Sequence, residues 1–98
     1  MPAKLSTHVL DLTTGRPAVG MVIQLLRTEP EPALIKTVTT NADGRSDGPL
    51  LDETTMAEGS YELLFHVSEY FSGQGVDCPF LGQVPVRFKL QDASAGYH

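Results

Sequence analysis

From Lys4 to Leu12 apolar and polar residues alternate with a period of two, the pattern of an extended strand. Leu5, Thr7 and Val9 fall on one face; Ser6, His8, Leu10 and Leu12 fall on the other. Both faces carry apolar residues, so both are expected to be covered, the second by a partner surface with His8 in its middle. Thr13 to Pro17 then reads as a turn, because Gly15 tolerates a positive φ and Pro17 is poor inside a central strand.

The same alternation recurs along the chain. Gly20 to Thr28 predicts a second strand, with Met21, Ile23 and Leu25 opposite Val22, Gln24 and Leu26. Glu29-Pro30-Glu31-Pro32 ends it, since two prolines remove two ladder donors. Leu34 to Thr40 predicts a third strand, and Asn41-Ala42-Asp43-Gly44 a tight bend that delivers Arg45 from a fixed position. Ser46 to Gly59 is mixed and acidic; Leu50 and Leu51 dock or form a short edge strand, and Glu53 to Ala57 suggests a brief helical turn. Beyond Gly59, Tyr61, Leu63, Phe65 and Val67 form an inward face opposite Glu62, Leu64 and His66. Ser68 is a cap for a short helix through Phe71, which Gly73 and Gly75 end. Val76 to Gly82 connects to a strand over Gln83 to Leu90, in which Val84, Val86, Phe88 and Leu90 point inward and Pro85 suits an edge or a bulge. Gln91 to Gly96 is a turn, and Tyr97-His98 begin another element. With no internal repeat, this is one domain over residues 1–98: an all-β sandwich of antiparallel strands with one short helix.

Composition narrows the partners. A formal net charge of −5 argues against nucleic acid and against an anionic membrane surface. The lone Cys78 allows no intrachain disulfide and is expected as a small half-buried hydrophobe. No apolar run approaches membrane-spanning length, and the N-terminus lacks the basic and apolar stretches of a signal peptide, so a cytoplasmic location is expected.

The common catalytic motifs are missing: no phosphate-binding glycine loop, no Gly-x-Ser-x-Gly elbow, no His-Glu-x-x-His. That leaves His8, His66 and His98. His8 stands out because its strand face also holds Leu10 and Leu12. His66 shares a mixed face with Glu62 and Leu64, where a packed or surface histidine is the plain reading. A zinc site would need all three to converge from distant strands, so no metal is expected. Arg45 has two readings: a solvated loop arginine, or a planar fork of donors that holds an anionic or carbonyl-rich ligand.

Several segments in order resemble the transthyretin-related 5-hydroxyisourate hydrolases. They are Leu5-Ser6-Thr7-His8-Val9-Leu10-Asp11, Gly15-Arg16-Pro17-Ala18, Thr40-Asn41-Ala42-Asp43-Gly44-Arg45, Gly59-Ser60-Tyr61-Glu62-Leu63, Tyr70-Phe71, Pro79-Phe80-Leu81, Val84-Pro85-Val86 with Phe88, and Tyr97-His98. The first and last are specific; the middle strand patterns are not. The resemblance implies a prealbumin/transthyretin-like antiparallel β-sandwich with one short helix, assembled as a homotetramer whose active sites line the channel between dimers. It also implies an activity, the hydrolytic ring-opening of 5-hydroxyisourate in purine catabolism, without metal or organic cofactor. By the same resemblance His8, Arg45 and His98 are catalytic, with His8 and Arg45 also binding substrate. Physically, one neutral imidazole can take a proton from water, the guanidinium can stabilise charge at the attacked carbonyl, and the other imidazole can orient the water or protonate the leaving nitrogen. Which histidine is the base stays open. Transthyretin itself, a hormone carrier of the same fold, does not keep this His and Arg pair. Carriage of a small ligand without turnover, and a plain β-sandwich interaction module, are the competing readings. The family ends in a Tyr-Arg-Gly-Ser tetrapeptide, whereas this sequence stops at His98; the expectation is a C-terminally incomplete domain with an unpaired edge, poorly folded and inactive by itself.

Overall fold

In the computed structural model, which describes residues 3–98, the chain folds into two thin layers within 40 × 27 × 17 Å. The short dimension suits two sheets packed face to face at about 10 Å. The elements in order are β1 (Lys4–Leu5), β2 (Leu10–Asp11), β3 (Arg16–Pro17), β4 (Val22–Glu29), β5 (Ala33–Thr39), β6 (Gly59–Phe65), α1 (Val67–Gly73), β7 (Val84–Leu90) and β8 (Gly96–Tyr97). One layer is a four-stranded antiparallel sheet in the order β5-β4-β6-β7. The other is assembled from short pieces around the N-terminal segment.

The long strands form where the alternation is cleanest. Along β4, Ile23 and Leu25 are fully buried, and Met21 just before them nearly so, while Val22, Gln24 and Leu26 are half-covered. Burying one such side chain contributes about 2 kcal/mol. Tyr61 and Leu63 of β6 and Leu90 of β7 join them from the neighbouring strands. Tyr61 stacks on Phe88 at 5.8 Å, and its hydroxyl donates to the Ala57 carbonyl at 2.6 Å, so the ring is buried without an unmet polar atom. From the opposite layer come Leu5, Ala18, Leu50, Leu51 and Tyr70. Pro85 lies on β7, an edge strand among the described residues, where a missing donor costs little.

The N-terminal segment is broken where a continuous strand was expected. Only β1, a bridge at His8 and β2 are paired, and β2 folds back on β3 through the Asp11–Gly15 turn. Asp11 causes this: its carbonyl takes the Gly15 amide at 2.9 Å and its carboxylate takes the Thr13 amide at 2.9 Å, a turn that outcompetes strand extension. Three further expectations are corrected. β1 and β8 run parallel, since the chain crosses the whole molecule between them. Val67 opens α1 rather than closing β6, and Ser68 is not its cap: His66 occupies that position with no side-chain cap. Val86 is 48 % exposed although it faces inward by alternation. Glu53 to Ala57 makes the single helical turn expected of it, the Asp52 carbonyl accepting the Thr55 and Met56 amides at 3.1 and 2.9 Å while its carboxylate accepts the amides of Thr54 and Thr55. Leu50 and Leu51 dock as expected, each 3 % exposed.

Candidate active site

The central feature of the second layer is the segment Lys4–Val9. On one side it is bound by the stretch after the Asp43-Gly44 turn: Val9 donates to the Gly44 carbonyl at 2.9 Å, His8 and Arg45 form an antiparallel bridge, and Leu5 bridges Leu51. On the other side it lies parallel to β8, with Leu5 opposite Tyr97 and the Ser6 amide donating to the Tyr97 carbonyl at 3.0 Å. Leu5 and Val9 pack on the core, so Ser6 and His8 point to the opposite face, about 7 Å apart along the strand.

The three candidate residues therefore come from the ends of the sequence and its middle onto one strand and its two neighbours. His8 is half-buried on the central segment, Arg45 is exposed beside it, and His98 follows β8 on the far side. The backbone pairing joins His8 to Arg45 directly. His98 is joined through Ser6, whose Oγ lies 2.8 Å from the His98 Nδ1. His66 lies elsewhere: its Nε2 meets the Gln24 side chain at 2.8 Å, and its Nδ1 lies 3.7 Å from the Glu69 carboxylate. This is the packed histidine that its mixed face implied.

Arg45 is held by its backbone rather than its side chain. Asn41 Oδ1 accepts the amides of Asp43 and Arg45 at 2.9 and 3.2 Å, and the Asn41 amide donates to the Arg45 carbonyl at 2.8 Å. Among the described residues the guanidinium makes no ion pair, so its donors are available to a ligand. It lines a groove of about 240 Å³ together with Lys4, Ser6, Thr7, Ser46 and Asp47. The groove thus carries two cations, Lys4 and Arg45, and one carboxylate, Asp47. A second, more apolar cavity of about 320 Å³ holds Tyr97 and His98; Ser6 and Thr7 line both. Among the described residues no cluster of three His, Cys, Asp or Glu could hold a metal ion.

Two polar features escaped the sequence reading. Ser6 is the link to His98, and alternation already put it on the His8 face, but nothing in sequence shows that residue 98 lands beside residue 6. The other is Asp11, buried under α1, whose Oδ2 accepts the Tyr70 hydroxyl at 2.7 Å. A charge between Leu10 and Leu12 was the available signal.

Residues 5–98 match the model of the HIUase/Transthyretin family. The 5-hydroxyisourate hydrolase 2 of Rhizobium meliloti (strain 1021) is 50 % identical over 99 residues, covering 97 % of this chain and 82 % of its own length. The 5-hydroxyisourate hydrolase of Halalkalibacterium halodurans is 47 % identical over 103 residues, covering 100 % of this chain and 87 % of its own. Among solved structures, (S)-allantoin synthase superposes with a TM-score of 0.90 at 35 % identity; the match takes in 98 % of this chain but only 38 % of that larger one. The Klebsiella pneumoniae 5-hydroxyisourate hydrolase superposes with a TM-score of 0.72 at 29 % identity, over 97 % of this chain and 82 % of its own.

Proposed function

The chain belongs to the HIUase/transthyretin family, and on that premise we propose that it is a 5-hydroxyisourate hydrolase whose working groups are His8, Arg45 and His98. The observation that carries the reading is the likeness to named hydrolases over nearly the whole chain; the backbone pairing of His8 with Arg45 and the contact of His98 with Ser6 on the same segment are consistent with it. In the step we envisage, one imidazole takes a proton from water as the water oxygen attacks a ring carbonyl. The C–N bond breaks, and the departing nitrogen receives a proton from the other imidazole or from water. Arg45, with a fork of donors and no ion-pair partner among the described residues, holds the substrate oxygen on which negative charge grows. Lys4 lines the same groove and adds a second positive charge, offset in part by the Asp47 carboxylate.

The same reading makes residues 1–98 one transthyretin-like domain in a homotetramer. Leu10 and Leu12 support this: one in β2 and the other in the turn after it, they stand 58 % and 89 % exposed, the two leucines that the alternation assigned to a partner-facing side. A lone unpaired cysteine suits a reducing compartment, the cytoplasm. No helix among the described residues is long and apolar enough to cross a membrane.

The test is the decay of freshly generated 5-hydroxyisourate with purified protein. The native protein accelerates it; His8→Ala and Arg45→Ala each reduce kcat/KM by about a hundredfold or more while the fold persists by circular dichroism. Decay at the spontaneous rate with native protein overturns the reading. Tight binding of the ligand without turnover would instead indicate a carrier.

A further inference from the structure

We propose that Ser6 is a positioning residue for His98: its hydroxyl holds the ring at Nδ1 and leaves Nε2 as the one nitrogen able to exchange a proton with water or substrate. The inference rests on the hydrolase reading and extends it to a residue outside the His8, Arg45 and His98 set. Its basis is local geometry. The parallel pairing of β1 with β8 sets Leu5 opposite Tyr97, and the Ser6 amide donates to the Tyr97 carbonyl at 3.0 Å. The side chains one residue further along therefore meet, with Oγ and Nδ1 at 2.8 Å.

No other hydrogen bond reaches either the Ser6 hydroxyl or the His98 ring among the described residues. His98 is exposed, so without this contact its ring would turn among several rotamers and two faces. The partner of one imidazole nitrogen decides what the other can do. If Nδ1 donates to the hydroxyl, Nε2 is a base when the ring is neutral and an acid when the ring is protonated; if the hydroxyl donates to Nδ1, the Nε2–H of the neutral ring only donates a hydrogen bond. Either way a single orientation is presented. Ser6 also lines both the groove of Arg45 and the cavity of His98, so the ring is anchored where the two spaces meet. A serine of purely structural value would leave turnover untouched on removal, because its backbone pairing does not need the hydroxyl.

The experiment is a double-mutant cycle on the 5-hydroxyisourate assay with Ser6→Ala, Ser6→Thr, His98→Asn and the Ser6→Ala/His98→Asn pair. Losing one hydrogen bond that orients the ring lowers kcat by about tenfold. KM is expected to hold within about twofold, and Ser6→Thr, which keeps the hydroxyl, to restore most of the loss. In the His98→Asn background Ser6→Ala has no further effect, since the ring it holds is gone. Ser6→Cys repeats the comparison should the alanine variant melt early. Native kcat in Ser6→Ala, beside a slow His98→Asn, overturns the proposal and leaves the hydrolase reading intact. An equal, additive loss in both backgrounds also overturns it. A native rate in His98→Asn removes the role of His98 itself, and with it that of Ser6.

Discussion

At Gly44 the backbone turns with φ +75°, and a Cβ built there would run into the Val9 carbonyl oxygen and crowd Pro17. The glycine is thus required twice, by its dihedral and by the closeness of the strand that carries His8. Its own carbonyl takes the Val9 amide, and the next residue is Arg45, so the turn sets the spacing of the His8–Arg45 pair. Gly44→Ala is expected to cost about 2 kcal/mol or more in urea unfolding, and to reduce turnover beyond what the loss of folded protein explains. Native turnover in the folded fraction would show that Arg45 does not depend on this spacing. The sequence disclosed the turn and the position of Arg45; it did not disclose what the turn packs against, because residues 9 and 44 are neighbours only in the fold.

Between elements, the Asp11–Tyr70 hydrogen bond fastens the N-terminal turn to α1, and it gives stability a pH dependence. The Thr13 hydroxyl and then the Tyr70 hydroxyl hold the Asp11 carboxyl below its ordinary 3.8, against burial, which pushes it up. Burial, then the hydrogen bond to Asp11 and its negative charge, push Tyr70 from 10.0 up to about 12. Asp11 is thus more acidic folded than unfolded. Its contribution is complete above pH 3.8 and fades as pH falls through the folded value. Tyr70 is less acidic folded than unfolded, so its contribution is complete below pH 10.0 and fades as pH rises toward 12. The melting temperature is expected to be level from about pH 5 to pH 9 and to drop on both sides. Asp52 and Asp92, lowered by the hydroxyls of Thr54 and Ser94, act in the same sense as Asp11 at the acid end. Tyr70→Phe lowers the plateau by about 5 °C, flattens the alkaline limb and leaves part of the acid limb. An unchanged alkaline limb in that variant would assign it to another group.

For the whole molecule, the exposed apolar residues matter most. Leu10, Leu12 and Val19 lie at least 48 % exposed around the short β2–β3 hairpin, close in sequence to His8. If this face is where copies of the chain meet, a double change Leu10→Glu and Leu12→Glu shifts light-scattering mass toward the 10.6 kDa single chain while the circular dichroism persists. Turnover falls with it if the site is walled by a second copy. A native protein that already scatters as a monomer would remove the tetramer from the functional reading.

Alternation determined β4, β6 and β7, whose inward residues join the core, so that a slipped register would expose them; β5, with no buried residue, was legible as a β-branched, threonine-rich run. Turn chemistry at Asn41–Gly44 and the position of Arg45 after it were equally legible, being set by side chains within a few residues. The segment resemblance named the family and His8, Arg45 and His98. Only the tertiary structure decided that the first strand breaks at Asp11, that β8 lies parallel beside β1, and that Ser6 meets His98. Those outcomes depend on pairings between residues up to 92 positions apart. Local propensity carries no information at that range; burial of the shared core brings the ends together.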